Sequence, residues 1–216
     1  MTRRLGKLLR NESGVALIEF AYSMPILLGL GLAGIEIANM ATTRLKVSQI
    51  ALSLADNASR LGQTDNSGVT PTVTEADLDA VIDGAMRQGE SIGLAERGRI
   101  VISSLEWNAF RERQFIHWQR CRGDLDAESA YGDDGDNNGL GQEELEGMGR
   151  GTSQLTAPPG SAVMFVEIYY DYEPVMSFPL GDAGRFVQEA GFIIRDDRNL
   201  DPGLTGGSTR SNCNSS

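Results

Sequence analysis

An apolar run near the N-terminus constrains the fold of this chain more than any other feature. It extends from Phe20 to Ile35 without a charged side chain. A basic leader precedes it, carrying Arg3, Arg4, Lys7 and Arg10. This order is typical of export or membrane insertion. Because a hydrocarbon core of about 30 Å needs about 20 helical residues, the run is short. It spans a bilayer only if the flanking carboxylates lie near an interface or bind a partner.

One of these carboxylates, Glu19, stands five residues after Gly14. An ionisable group inside a membrane segment costs about 2.5–3.5 kcal/mol on insertion scales, so it needs a partner. If the chain is cut after Gly14, the new ammonium group of Val15 lies about one helical turn from Glu19. A neighbouring subunit is the other source of such a charge.

The same segment resembles a class III prepilin peptidase site, with the sequence Gly14-Val15-Ala16-Leu17-Ile18-Glu19-Phe20 behind the basic leader. Its continuation, with Pro25 inside the run and Glu36 after a Gly-Ile pair, is similar to the TadE-like minor pseudopilins of tight-adherence (Tad/Flp) pili. The resemblance is sharp from Ser13 to Thr42. It implies cleavage after Gly14. It also implies that the residues used in processing and assembly are Gly14, Val15, Glu19 and Phe20.

By this resemblance the chain is a minor pseudopilin that takes part in the initiation and assembly of a Tad-type pilus. The implied partners are a prepilin peptidase, the major pilin, other pseudopilins, the pilus assembly platform proteins and the inner membrane. The chain would cross that membrane once, with its N-terminus in the cytoplasm and its C-terminal domain in the periplasm, and would be a candidate for incorporation into the extracellular pilus.

Two other classes of function stay open. A plain single-pass anchor, whose Glu19 and Glu36 snorkel toward the two interfaces, would carry a periplasmic sensor or ligand-binding module. It predicts an uncut leader and an indifferent Glu19. An envelope enzyme is a weaker alternative, since the sequence contains no nucleophile elbow, P-loop or metalloprotease helix, and no catalytic residue is assigned.

The charge is unevenly distributed along the chain. The net charge is −11 over 216 residues. Residues 1–14 carry four basic groups and one acid, for +3, which leaves −14 on the remainder. A domain with this much negative charge is repelled by phosphate backbones, so we expect no nucleic-acid partner.

Helical periodicity continues beyond the apolar run, at Val47, Ile50, Ala51, Leu54, Ala58 and Leu61. We therefore predict one helix over residues 15–62, about 70 Å long, with a kink or local melting at Pro25. Thr74 is the expected N-cap of a second helix, with Asp77 in the capping-box position. Its expected buried face is Leu78, Val81, Ile82, Ala85 and Met86.

Four segments complete the predicted α+β fold. Strands are expected at 99–107, 114–121, 162–172 and 192–195, and residues 186–190 as a short helix or irregular. The expected organisation is a leader (1–14), a long membrane-spanning helix (15–62) and a small periplasmic domain (63–216) with a short helix and an antiparallel sheet. Within it, the acidic loop 123–160 is expected to be an excursion from the fold.

The two cysteines, Cys121 and Cys213, lie far apart in the sequence. In an exported domain such a pair predicts one disulfide. Two unpaired thiols are the alternative.

The acidic loop contains a partial calcium-binding pattern, Asp134-Gly135-Asp136-Asn137-Asn138-Gly139-Leu140. The side-chain oxygens of Asp134, Asp136 and Asn138 and the carbonyl of Leu140 are suitable Ca²⁺ ligands. The twelfth position, which normally supplies a bidentate acid, is Leu145. Calcium is therefore a hypothesis, with a solvated acidic loop as its alternative.

Two further features have ordinary interpretations. His117 is the only histidine, and we expect it to be structural. Gly29-Leu30-Gly31-Leu32-Ala33-Gly34 spells a dinucleotide-binding motif but follows no strand, so it is better read as glycines tolerated in a membrane helix or as a small-residue packing face.

Overall fold

The computed structural model describes residues 13–62, 70–134, 145–151, 154–175, 184–195, 198–207, 211 and 213. The helices are α1 (Ser13–Ser59), α2 (Glu75–Gly89) and the short α3 (Leu94–Arg97), with a 3-10 turn (Glu90–Ile92) between the last two. The strands are β1 (Gly98–Asn108), β2 (Arg113–Arg122), β3 (Ala162–Asp171) and β4 (Arg185–Ile193). This layout confirms the predicted α+β fold: a long N-terminal apolar helix, a short helix and an antiparallel sheet.

α1 is one continuous helix of 47 residues with two different environments. Nearly every side chain before Glu36 is exposed. In the second half one stripe is buried against the domain, formed by Val47, Ile50, Ala51, Leu54, Ala55 and Ala58. The predicted stripe is confirmed, and Leu61 lies partly buried just after the helix. The chain stays α-helical through Pro25, so the expectation of local melting there is wrong.

α2 begins at the predicted cap. The Thr74 hydroxyl accepts a hydrogen bond from the Asp77 N–H at 3.1 Å, and the Asp77 carboxylate accepts one from the Thr74 N–H at 3.2 Å. This capping box satisfies two backbone donors of the first turn. The predicted apolar face of α2 packs against the second half of α1.

The strands form one antiparallel sheet in the order β2-β1-β3-β4. Ser104 pairs with Trp118 and Leu105 with Ile116, which leaves His117 as an extra residue on β2, a β-bulge. β4 includes residues 186–190, so their assignment as a short helix or irregular segment is wrong. Their side chains alternate between the two faces of the sheet, with Phe186 and Ala190 buried against the helices.

The two faces of the sheet are covered by different parts of the chain. The face turned to α1 and α2 contributes Ile100, Ile102, Met164, Val166 and Ile168 to the main core. The second face carries a smaller cluster that includes Leu105, Val163, Phe165, Met148 and Ala157. Met148 and Ala157 belong to the acidic loop. The described parts of this loop are therefore a layer of the fold rather than an excursion, because they bury an apolar sheet face.

Ion pairs fix α2 over the edge of the sheet. Arg120 binds Glu75, and Arg122 binds Asp79 and Asp83 at 3.0 and 3.2 Å. The three acids recur every fourth residue on α2, and the two arginines project from the same face of β2. This matching could not be predicted from the sequence, because each half of the pattern alone is typical of a solvated charged surface.

The predicted disulfide between Cys121 and Cys213 is present, with 4.6 Å between the two Cα atoms. The backbone supports the same contact, since the Cys121 N–H donates to the Ser211 carbonyl at 2.7 Å. The C-terminal segment is thereby held on β2, an edge strand of the sheet.

Candidate functional site

The predicted processing residues lie together at the start of α1. Gly14, Val15, Glu19 and Phe20 are all exposed. Val15 and Glu19 are four residues apart and therefore lie on one face of the helix. Within the described part of the chain, Glu19 makes no hydrogen bond or ion pair. The geometry thus leaves this carboxylate available to a charge from outside the described chain.

The exposed first half of α1 has the dimensions of a membrane span. α1 is long and apolar enough to cross a bilayer. The stretch from Gly14 to Ile35 is about 33 Å long at about 1.5 Å per residue, close to the hydrocarbon thickness of about 30 Å. A Cβ added at Gly29, Gly31 or Gly34 would meet nothing within 4 Å, so the surface of α1 is open at these glycines.

Glu36 marks the point where α1 leaves the domain. Its side chain is almost buried, with 9% of the residue exposed. One carboxylate oxygen accepts from the Tyr172 hydroxyl at 2.7 Å, and the other accepts from the Val175 N–H at 3.1 Å. Asn39 donates to the same hydroxyl at 2.7 Å. We call these four residues the helix-exit cluster.

The helix-exit cluster changes the interpretation of Glu36. In the single-pass-anchor alternative Glu36 snorkels toward a membrane interface, whereas in the structure the domain binds its carboxylate directly. The two glutamates that flank the apolar run thus have different environments: Glu19 is exposed, and Glu36 joins α1 to the end of β3. Sequence reasoning missed this role since Tyr172 lies 136 residues away.

Aromatic rings extend the contact above the helix-exit cluster. The Tyr172 ring stacks on Phe186 with 5.4 Å between ring centroids. The Arg44 guanidinium lies over the Phe186 ring, 4.3 Å from its centroid. A cation over an aromatic face is attracted by the ring quadrupole. The Arg44 contact attaches α1 to β4 about two turns beyond Glu36.

His117 lies on the sheet with an acidic partner. Its Nδ1 is 3.0 Å from the Glu106 carboxylate, whose other oxygen accepts from the Ser104 hydroxyl at 2.9 Å. This hydrogen bond to Glu106 raises the pKa of His117, against an opposing effect of burial. The serine hydroxyl binds the carboxylate rather than the imidazole, so the trio lacks the serine-to-histidine contact of a nucleophilic triad. Its geometry fits a structural role.

Two acids face each other on the second face of the sheet. Glu167 on β3 pairs directly with Glu189 on β4. The Glu167 carboxylate is fully buried. It accepts hydrogen bonds from the Tyr169 hydroxyl and, in the acidic loop, from the Ser129 hydroxyl and the Ala130 N–H. Burial raises the pKa of Glu167 despite these bonds. Their donors fix the acidic loop on the sheet.

The structure describes one of the four predicted calcium ligands. Asp134 accepts from the Gln119 N–H at 3.3 Å and lies 3.8 Å from the Arg120 guanidinium. Asp136, Asn138 and Leu140 fall outside the described residues. Among the residues that are described, no group of three His, Cys, Asp or Glu side chains is placed to hold a metal. Calcium binding stays a prediction.

Comparison of the chain with protein-family models, with curated proteins and with solved structures finds no match. The residues and geometry of the chain itself therefore carry the functional interpretation.

Proposed function

We propose that this chain is a TadE-like minor pseudopilin that helps to initiate and assemble a Tad-type pilus after cleavage following Gly14. One observation carries the proposal. α1 is a single helix whose first half is apolar and exposed and whose second half packs on an antiparallel sheet. Such a helix can pass from lipid into a stack of apolar helices without any change in the domain attached to it.

Glu19 has the central role in this proposal. It lies on the exposed apolar surface, where an unpaired carboxylate is costly in lipid or in a dry helical stack. Cleavage after Gly14 creates an ammonium group on Val15, and the ammonium of a neighbouring subunit would neutralise Glu19. Pairing between subunits would then set their axial register. Glu36 takes no part in this step because the domain already binds its carboxylate.

The proposal includes the location and partners implied by the resemblance. A prepilin peptidase of the inner membrane would cut the chain, and the platform proteins would pass it to the major pilin and to other pseudopilins. The first half of α1 would cross the inner membrane, and the domain would lie in the periplasm. The domain, which carries the net charge of −14 found after residue 14, is not suited to nucleic acid.

The first test is the N-terminal residue and intact mass of the protein from membranes of its native host. A chain that begins at Val15 supports the proposal. A chain that begins at Met1 contradicts it and favours a single-pass anchor that carries a periplasmic sensor or ligand-binding module.

A further inference from the structure

We propose that the end of the domain next to the helix-exit cluster is a second membrane contact, with Val175 placed in the lipid–water interface beside α1. We call this end of the domain the base, and define it by Arg44, Tyr172, Glu173 and Val175. The inference requires only that the first half of α1 lies in a bilayer. It does not depend on pilus assembly.

The first argument is the depth at which Val175 is held. Its N–H donates to the Glu36 carboxylate at 3.1 Å. Glu36 is the first buried residue of α1 after the apolar run that ends at Ile35, and the stretch from Gly14 to Ile35 matches the hydrocarbon thickness of a bilayer. The backbone of Val175 is therefore tied to α1 where hydrocarbon gives way to headgroups.

The second argument is the chemistry of the base. Val175 is 68% exposed although a domain core lies next to it. Moving an apolar side chain out of water lowers the free energy, and the lipid–water interface beside α1 offers such burial. The sequence continues through Met176, Phe178 and Leu180, which lie outside the described residues and are not part of the site.

The third argument is the direction of Arg44, the cation of the base. Arg44 is exposed and lies two turns beyond Glu36 on α1. Helical side chains lean toward the N-terminus of their helix, which here is the membrane side. The guanidinium over Phe186 is thus directed toward lipid phosphates, with which arginine forms bidentate hydrogen bonds. Arg97 and Glu173 pair with each other at 2.7 Å at the same end of the domain.

Lipid is the occupant that these observations favour over a second copy of the chain. A bilayer is present at this depth whenever α1 spans it, whereas a second copy would also have to be oriented toward Val175.

The test uses the full-length protein with Val175→Cys, labelled with an environment-sensitive fluorophore. Cys121 and Cys213 are disulfide-bonded, so the label reaches the new thiol alone. The protein is reconstituted in vesicles of phosphatidylethanolamine and phosphatidylglycerol, with or without lipids that carry a nitroxide near the headgroup.

The matched control is Phe110→Cys with the same label. Phe110 is 95% exposed in the turn between β1 and β2. This turn lies at the other end of the sheet, since Glu106 pairs with Ala162 at the start of β3 and Tyr172 follows its end. A fluorophore that inserts into lipid by its own hydrophobicity would do so at both positions.

We expect a blue-shifted emission and quenching by the nitroxide lipids at position 175, and neither effect at position 110. Equal quenching at the two positions, or none at position 175, would overturn the proposal. Self-quenching at position 175 that rises with the protein-to-lipid ratio, without quenching by nitroxide lipids, would also overturn it and would assign the base to a second copy.

Discussion

Replacing Tyr172 by Phe isolates the contribution of the helix-exit cluster to stability. The hydroxyl donates to Glu36 at 2.7 Å and accepts from Asn39 at 2.7 Å, while the ring stacks on Phe186. Tyr172→Phe keeps the ring and deletes both hydrogen bonds. A hydrogen bond to a charged group contributes about 1.5–3 kcal/mol, so we expect a loss of about 2 kcal/mol in the free energy of unfolding. At about 2–4 °C per kcal/mol for a domain of this size, Tm should fall by about 4–8 °C.

The measurement is thermal and urea unfolding of the full-length protein in detergent micelles, followed by the fluorescence of Trp107 and Trp118. Tyr22→Phe is the matched control, because Tyr22 is 75% exposed on the first half of α1. It should leave Tm unchanged. In a double-mutant cycle with Glu36→Gln, we expect a coupling energy of about 0.5–3 kcal/mol. Equal effects of Tyr172→Phe and Tyr22→Phe, or zero coupling, would refute the role of the cluster.

Four other predictions test separate parts of the molecule. Glu19→Ala should leave Tm unchanged and the chain cut, yet exclude it from pili in an immunoblot of sheared filaments; normal incorporation would contradict the proposed charge pairing. Because the pKa of His117 is raised in the fold, its bond to Glu106 stabilises fully below about pH 6.5 and is lost as pH rises through the raised pKa. The urea midpoint of the parent protein should therefore fall as pH rises through this pKa, and His117→Gln should abolish that fall. The same pH dependence in the variant and the parent would refute the role of this bond. Cys121→Ser should cost about 2–5 kcal/mol in urea unfolding, as should reduction of the parent protein; full stability under reductant would contradict this. If Ca²⁺ binds the acidic loop, it should raise the Tm of the parent protein but not of Asp134→Ala; no rise in the parent ends the hypothesis.

The parts of the fold that the sequence could predict are those governed by local pattern. The buried stripe of α1 follows from helical spacing, and the Thr74–Asp77 capping box from residues three positions apart. The pairing of Cys121 with Cys213 followed because no other cysteine is present.

The missed features all depend on distant partners. Residues 186–190 do not read as a strand in the sequence because Gln188 and Glu189 interrupt the apolar pattern. In the fold Glu189 is bound by Arg150 at 2.9 Å and by Tyr131 at 3.2 Å, so a charged residue becomes compatible with the sheet. The role of Glu36 was hidden for the same reason. Its partners are specified only after the sheet has formed.

The tie between Cys121 and Cys213 bears on the order in which this protein can mature. If the chain enters the membrane at its N-terminus, α1 emerges first, and its apolar stripe stays unpacked until β3 and β4 have emerged. The contact between Asp56 and Arg195 spans 139 residues, and the disulfide needs a cysteine close to the C-terminus. Contacts of such long range form slowly, and in the proposed topology they form only when the whole domain has crossed the membrane. Until then the stripe that includes Val47 and Leu54 is uncovered, so under the proposed topology export is the period in which this chain is most exposed to aggregation and proteolysis.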